Sequence, residues 1–71
     1  MIFQVSEFDN DYNAFAGYVY VKADSLAQAE EWCQNRNWTG YSYFVHCELP
    51  YDLPSSEIDF DVTNNDHNIS C

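Results

Sequence analysis

Apolar and polar residues alternate with period two over three stretches of the chain, follow helical spacing over one, and run together over another. Residues 2–8 put Phe3 and Val5 on one side and Gln4 and Ser6 on the other, the pattern of a half-buried strand. Asp9-Asn-Asp-Tyr-Asn13 is a turn by composition, because Asx side chains bond their own backbone. Over residues 14–23, Val19, Val21 and Ala23 alternate with Tyr18, Tyr20 and Lys22, so 2–23 reads as an antiparallel hairpin. A helix follows at 25–36. Ser25 is its N-cap and Gln28, three residues on, occupies the capping-box position. Leu26, Ala29, Trp32 and Cys33 form an apolar stripe opposite Gln28, Glu31, Gln34 and Asn35. Arg36 suits the negative end of the helix dipole, Asn37 is a stop, and Gly40 permits a sharp turn.

The run from Tyr41 through Cys47 to Glu48 has no alternation, which predicts a third strand covered on both faces. Pro50 and Pro54 make 49–54 a loop, since neither can donate to a ladder. Ile58, Phe60 and Val62 then alternate with Glu57, Asp59, Asp61 and Thr63 as a fourth strand. From Asn64 the chain is polar and terminal, so 64–71 is expected to be a flexible tail on a single domain spanning 1–63. The fold class that follows is α+β: a small antiparallel β-sheet, ββαββ, about four strands, with one helix packed on one face. A helix this short is marginal alone in water, so the strands must cover its stripe. The other sheet face is left to solvent, which suits the polar halves of strands two and four.

Composition adds a constraint on the core. A chain of 71 residues buries only roughly 60% of its unfolded surface. Five Phe, six Tyr and two Trp compensate, and they also separate this acidic chain from the disordered class, which lacks aromatics. Twelve Asp and Glu face only Lys22 and Arg36, giving a net charge of −10. Self-repulsion at that density costs stability, and a solubility role is served by a smaller excess, of magnitude roughly 2–8. The excess therefore points to a basic partner. Direct nucleic-acid binding is disfavoured because almost nothing neutralises phosphates, and an anionic membrane is disfavoured likewise. No basic n-region and apolar h-region opens the chain, so no signal peptide is expected, and no apolar run has membrane-spanning length. Three widely spaced cysteines fit reduced thiols in a cytoplasmic protein, which makes the Asn68-Ile-Ser70 sequon coincidental.

Glu57, Asp59 and Asp61 on an extended strand would project at about 6.8 Å intervals, twice the strand rise. That is a rigid row of negative charge on a scale similar to the phosphates of a nucleic-acid strand. Glu7, Asp9 and Asp11 repeat the spacing around the first turn. Such a row can dock where Lys and Arg grip a phosphate backbone. The competing explanation is an edge strand protected from aggregation by charge. Tyr18, Tyr20 and Tyr43, with Tyr41 and Trp38, are candidate contact anchors, stiff and amphipathic, against the ordinary alternative of cross-strand ring pairing.

Other chemistry has little support in the sequence. The Asp9-Asn-Asp-Tyr-Asn13 segment opens like a calcium loop, but Ala14 stands where Gly belongs and Tyr20 where Glu belongs. His46, Cys47, His67, Cys71 and Cys33 have no standard zinc spacing, and Cys33 and Cys47 read more economically as core thiols, His46 as a polar-face or edge residue. No nucleophile elbow, phosphate loop or nucleophile–base arrangement is present. The expectation is a non-enzyme with no catalytic residues, no metal and no cofactors, acting as a monomer or homodimer.

The segment Ala23-Asp-Ser-Leu-Ala-Gln-Ala29, after a Val-x-Val strand and before the aromatic strand, resembles small acidic phage-encoded anti-CRISPR proteins, over roughly residues 15–48. Proteins of that class bind a CRISPR–Cas effector complex and block target DNA, often by occupying a basic DNA-binding surface. The resemblance implies a non-enzymatic, DNA-mimicking inhibitor in the host cell cytoplasm. It assigns no residue a role. The alternatives are a mimic directed at another DNA-handling protein (a restriction enzyme, nuclease or repressor) and a small metal- or ligand-binding accessory module.

Overall fold

A computed structural model describes residues 1–36 and 40–63. The elements occur in the order β1 (Ile2–Asp9), β2 (Ala14–Lys22), α1 (Leu26–Asn35), β3 (Tyr41–Glu48), a 3-10 turn (Ser55–Glu57) and β4 (Phe60–Asp61). One sheet of order β3-β1-β2-β4 carries the helix on one face, so the α+β class is as expected. The expected tail at 64–71 and the Asn37 stop lie outside the described residues.

The local signals at the helix act as read. Ser25 is extended at φ −154° and its hydroxyl accepts from the Gln28 amide at 3.1 Å, satisfying one of the orphan donors of the first turn. The Gln28 carboxamide reaches back one residue further than in the usual box, accepting from the Asp24 amide, and its Nε2 donates to the Val62 carbonyl at 3.3 Å. One side chain thus closes the helix and ties it to the residue after β4. Ala29 and Cys33 are buried and Trp32 packs against them, whereas Leu26 at the stripe's start is 49% exposed.

The core lies between α1 and the near sheet face. Phe3 and Val5 from β1, Val21 and Ala23 from the end of β2, and Tyr43 from β3 meet Ala29 and Cys33, with Val62 closing the far side. Val19, Val21 and Ala23 point inward together, as their alternation requires.

Three expectations are overturned. The sheet is mixed rather than antiparallel, because β4 runs parallel to β2 through Val21–Phe60 and Lys22–Asp61. β3 leaves the sheet at the end where β1 starts and β2 finishes, where Leu49 N donates to Ile2 O at 2.8 Å. The chain passes back beside β2 as far as Tyr20, whose carbonyl accepts from Asp59 N at 2.9 Å, before β4 runs toward that end again. The end at which a chain arrives decides a strand's direction, and alternation carries no record of it. β4 is also two residues long. Pro54 starts a 3-10 turn in which Glu57 N donates to Pro54 O, so Glu57 belongs to the turn and not to a strand. The inward–outward alternation of Phe60, Asp61 and Val62 survives as burial. Finally, β3 is an edge strand without cover on both faces: Tyr43 is buried, while Phe44, His46 and Cys47 are exposed. Cys47 is therefore not a core thiol, whereas Cys33 is.

Two bulges re-aim side chains. The β1–β2 register shifts between Glu7 and Phe8, so Glu7 faces Gly17 and Phe8 faces Phe15, with Ala16 as the extra residue. Gly17 holds φ +141°, a region L side chains rarely adopt. The β1–β3 register shifts between Gln4 and Val5, leaving His46 as the extra residue.

Candidate partner-binding surfaces

The six candidate carboxylates fall in two separate groups, while Asp24, Glu30, Glu31, Glu48 and Asp52 lie outside both. Asp59 and Asp61 sit beside the finishing end of β2, with Glu57 in the turn just before them, whereas Glu7, Asp9 and Asp11 lie toward its start, where Asp9 pairs with Ala14. Along a strand that separation is on the order of 20 Å. The expected row of three carboxylates on one extended strand does not form, because Glu57 lies in a 3-10 turn. Asp59 and Asp61 spend their carboxylates on the fold. Asp59 Oδ2 accepts from Tyr20 N at 2.8 Å, which docks the β4 segment onto β2. Asp61 Oδ1 accepts from the Thr63 hydroxyl and from Thr63 N at 3.0 Å, and the hydroxyl bond holds its pKa below the usual carboxylate range.

At the other end, Asp9 Oδ1 accepts from Asp11 N at 2.9 Å, making an Asx turn of the segment that opens like a calcium loop, and Asn13 takes a left-handed φ of +51°. Glu7 Oε2 accepts from Tyr43 OH at 2.7 Å on the helix side of the sheet. Tyr43 is 6% exposed, so this candidate anchor is a core residue and a correction to the expected contact set. Burial, reinforced by the Glu7 carboxylate, pushes its phenol pKa up. Over the same part of the core the Arg36 guanidinium stacks on three rings, 5.3 Å from Trp32, 5.6 Å from Tyr43 and 4.8 Å from Phe60.

Tyr18 and Tyr20 do stand together, on the sheet face away from the helix, Tyr20 half-buried with its hydroxyl accepting from Gln4 Nε2 at 3.4 Å. Tyr18 belongs to a larger group that the sequence reading missed. Phe15 is edge-on to Tyr18 at 5.0 Å and to Phe8 at 5.6 Å; Phe8 meets Phe44 at 5.9 Å; Tyr18 meets His46 at 5.6 Å. Phe15, Tyr18 and Phe44 are 52%, 45% and 53% exposed. The helix covers one side of this sheet. On the other, these rings contact one another, around the buried Ser6 that pairs with Tyr18 and Phe44, and stay partly in solvent. The expectation of a polar free face on strand two is thereby reversed.

The same face of β1, β2 and β3 is free of carboxylates. Glu7 points to the helix side with Tyr43, Asp9 follows Glu7 in alternation, and Glu48 lines a cleft with Leu26 and Glu30 beside the helix. Acids lie at its margins instead, Asp59 against the outer edge of β2 and Asp11 in the turn beyond Phe8 and Phe15. Phase on β1 was one available signal, since Phe8 falls in step with Gln4 and Ser6 and out of step with Phe3 and Val5. Phe15 offered none without the bulge, because by counting it falls with Val19 and Val21.

Among the described residues no group of three or more His, Cys, Asp or Glu side chains is placed to hold a metal ion, and no helix is long and apolar enough to cross a membrane. No protein-family model matches the chain, and neither a curated protein nor a solved structure matches it.

Proposed function

We propose that the protein is a non-enzymatic inhibitor that binds a basic nucleic-acid-binding surface of a CRISPR–Cas effector complex and keeps target DNA off it. The observation that carries this reading is the charge: −10 on 71 residues, with one of its two cations, Arg36, folded over its own rings. A field of that sign repels DNA and draws in surfaces built to hold phosphate. The charge acts as a field spread over the helix, the strand ends and the loops, including the Glu7–Asp11 and Glu57–Asp61 groups, rather than as a phosphate-spaced row. It sets association rate and orientation, which is what rim charges do at interfaces.

The test is displacement of labelled target DNA from a purified effector complex by the purified protein, repeated across ionic strength. Inhibition that weakens as salt rises is expected, because the steering field is screened within about 10 Å at 0.1 M salt. The charge reversals belong at Glu57 and Asp11, both exposed, and not at Asp59, whose carboxylate anchors β4 to Tyr20. The Glu57→Lys, Asp11→Lys pair should slow association roughly tenfold. No effect on DNA binding at any salt would refute the CRISPR target. Recovery of a restriction enzyme, nuclease or repressor from host lysate would redirect the same mechanism to that protein.

A further inference from the structure

We infer that the free aromatic face of the sheet is the docking surface, and that its occupant is an arginine-bearing segment of a basic protein partner. This rests on the reading above and relocates the contact from the acidic strand to the rings. Phe8, Phe15, Tyr18, Phe44 and His46 form one connected patch with centroid spacings of 5.0 to 5.9 Å, and three of these rings are about half exposed. A contiguous exposed apolar patch on a small domain marks an interaction site.

Charge selects the occupant. A second copy brings another −10 against the first, with Lys22 and Arg36 as the only cations to offset it. Single-stranded nucleic acid also stacks on aromatic sheet faces, but such sites pair the rings with a positive groove for the backbone. Here the margins carry Asp59 and Asp11 instead. A cationic polypeptide satisfies both features, its charge drawn by the margins and its flat groups stacked on the rings. Arginine fits better than lysine, because the guanidinium is planar and weakly hydrated and stacks on aromatic faces. The molecule already makes this contact once, on the other side of the sheet, where Arg36 lies within 4.8 to 5.6 Å of three ring centroids.

The experiment is an NMR titration of the labelled full chain with a short alternating Arg-Ser peptide, its Lys-Ser counterpart, and oligo-dT. Expected are shifts concentrated at Phe15, Tyr18, Phe44 and His46, binding at least about threefold weaker for the Lys peptide, and no binding of oligo-dT. The Phe15→Ser, Phe44→Ser double variant should lose at least about tenfold in affinity with its circular dichroism and melting unchanged, since both rings are surface rings. Shifts centred on residues 57–61 or 9–11, equal affinity for the two peptides, oligo-dT seated on the rings, or a concentration-dependent dimer that buries them would each overturn the proposal. The two readings fail separately. An inert effector assay with the ring shifts intact removes the CRISPR target and keeps the docking face. A double variant that inhibits the effector undiminished removes the docking face and keeps the target.

Discussion

The two faces of this sheet carry similar residues and do opposite work. On the helix side Phe3, Val5 and Val21 are almost wholly buried against Ala29 and Cys33. On the free side Phe8, Phe15, Tyr18 and Phe44 make ring contacts of the same kind as Trp32 does with Tyr43 and Phe60, yet Phe15, Tyr18 and Phe44 stay open to solvent and Phe8 is half-buried. Hydrophobic stabilisation follows area removed from water, so the first set holds the fold, while Phe15, Tyr18 and Phe44 in the second leave about half of their surface in water. Aromatic content by itself does not say which.

The sharpest break in that comparison is Phe3→Ala. A fully buried ring costs about 3–5 kcal/mol on truncation, a large part of the roughly 5–15 kcal/mol a domain has. Urea denaturation should show a variant that is largely unfolded or close to it. A high-pH transition comes next. Burial, with Glu30 nearby, pushes the Cys33 thiol up to about 11 from 9.0. A folded-state pKa raised above the unfolded value gives stability that is complete below pH 9 and is lost as pH rises toward 11. Thermal melts across that window should fall more steeply for the unmodified chain than for Cys33→Ala; equal slopes would show that the thiol is not protected. Ser25→Ala, which strips the helix of its cap, should cost about 1 kcal/mol. Tyr43→Phe, which removes the bond to Glu7, should cost a similar amount, roughly 0.5–1.5 kcal/mol. Smallest is Phe44→Ala on the free face, within about 0.5 kcal/mol of the parent by the same denaturation. A cost near that of Phe3→Ala would mean the free face is part of the core.

Much of the framework was legible because it is set locally. Ser25 and Gln28 mark the helix start by satisfying amides three or four residues away, and the Val19, Val21, Ala23 phase marks the inward face of β2. β3 was found at its true bounds, although its cover was misjudged: an unbroken run reads alike whether two layers bury it or one face stays exposed. Tyr18 and Tyr20 fall on the free face, as their alternation with Val19 and Val21 implies, whereas Tyr43 stands two strands away on the helix side, paired with Glu7. The carboxylate row depended on residues 57–63 staying extended, and the turn after Pro54 bends Glu57 away.

The sequence alone determined the element order, the capped helix, the inward residues of β1 and β2, and the surplus of negative charge. These depend on neighbours a few positions apart, or on a simple sum. Only the tertiary structure decided that β4 is short and parallel, that the six candidate acids divide between two groups, and that bulges at Ala16 and His46 gather rings from three strands onto one open face. Each of these is set by where a distant segment arrives on the sheet and by one-residue shifts in register, and a shift of one residue turns every following side chain to the other face.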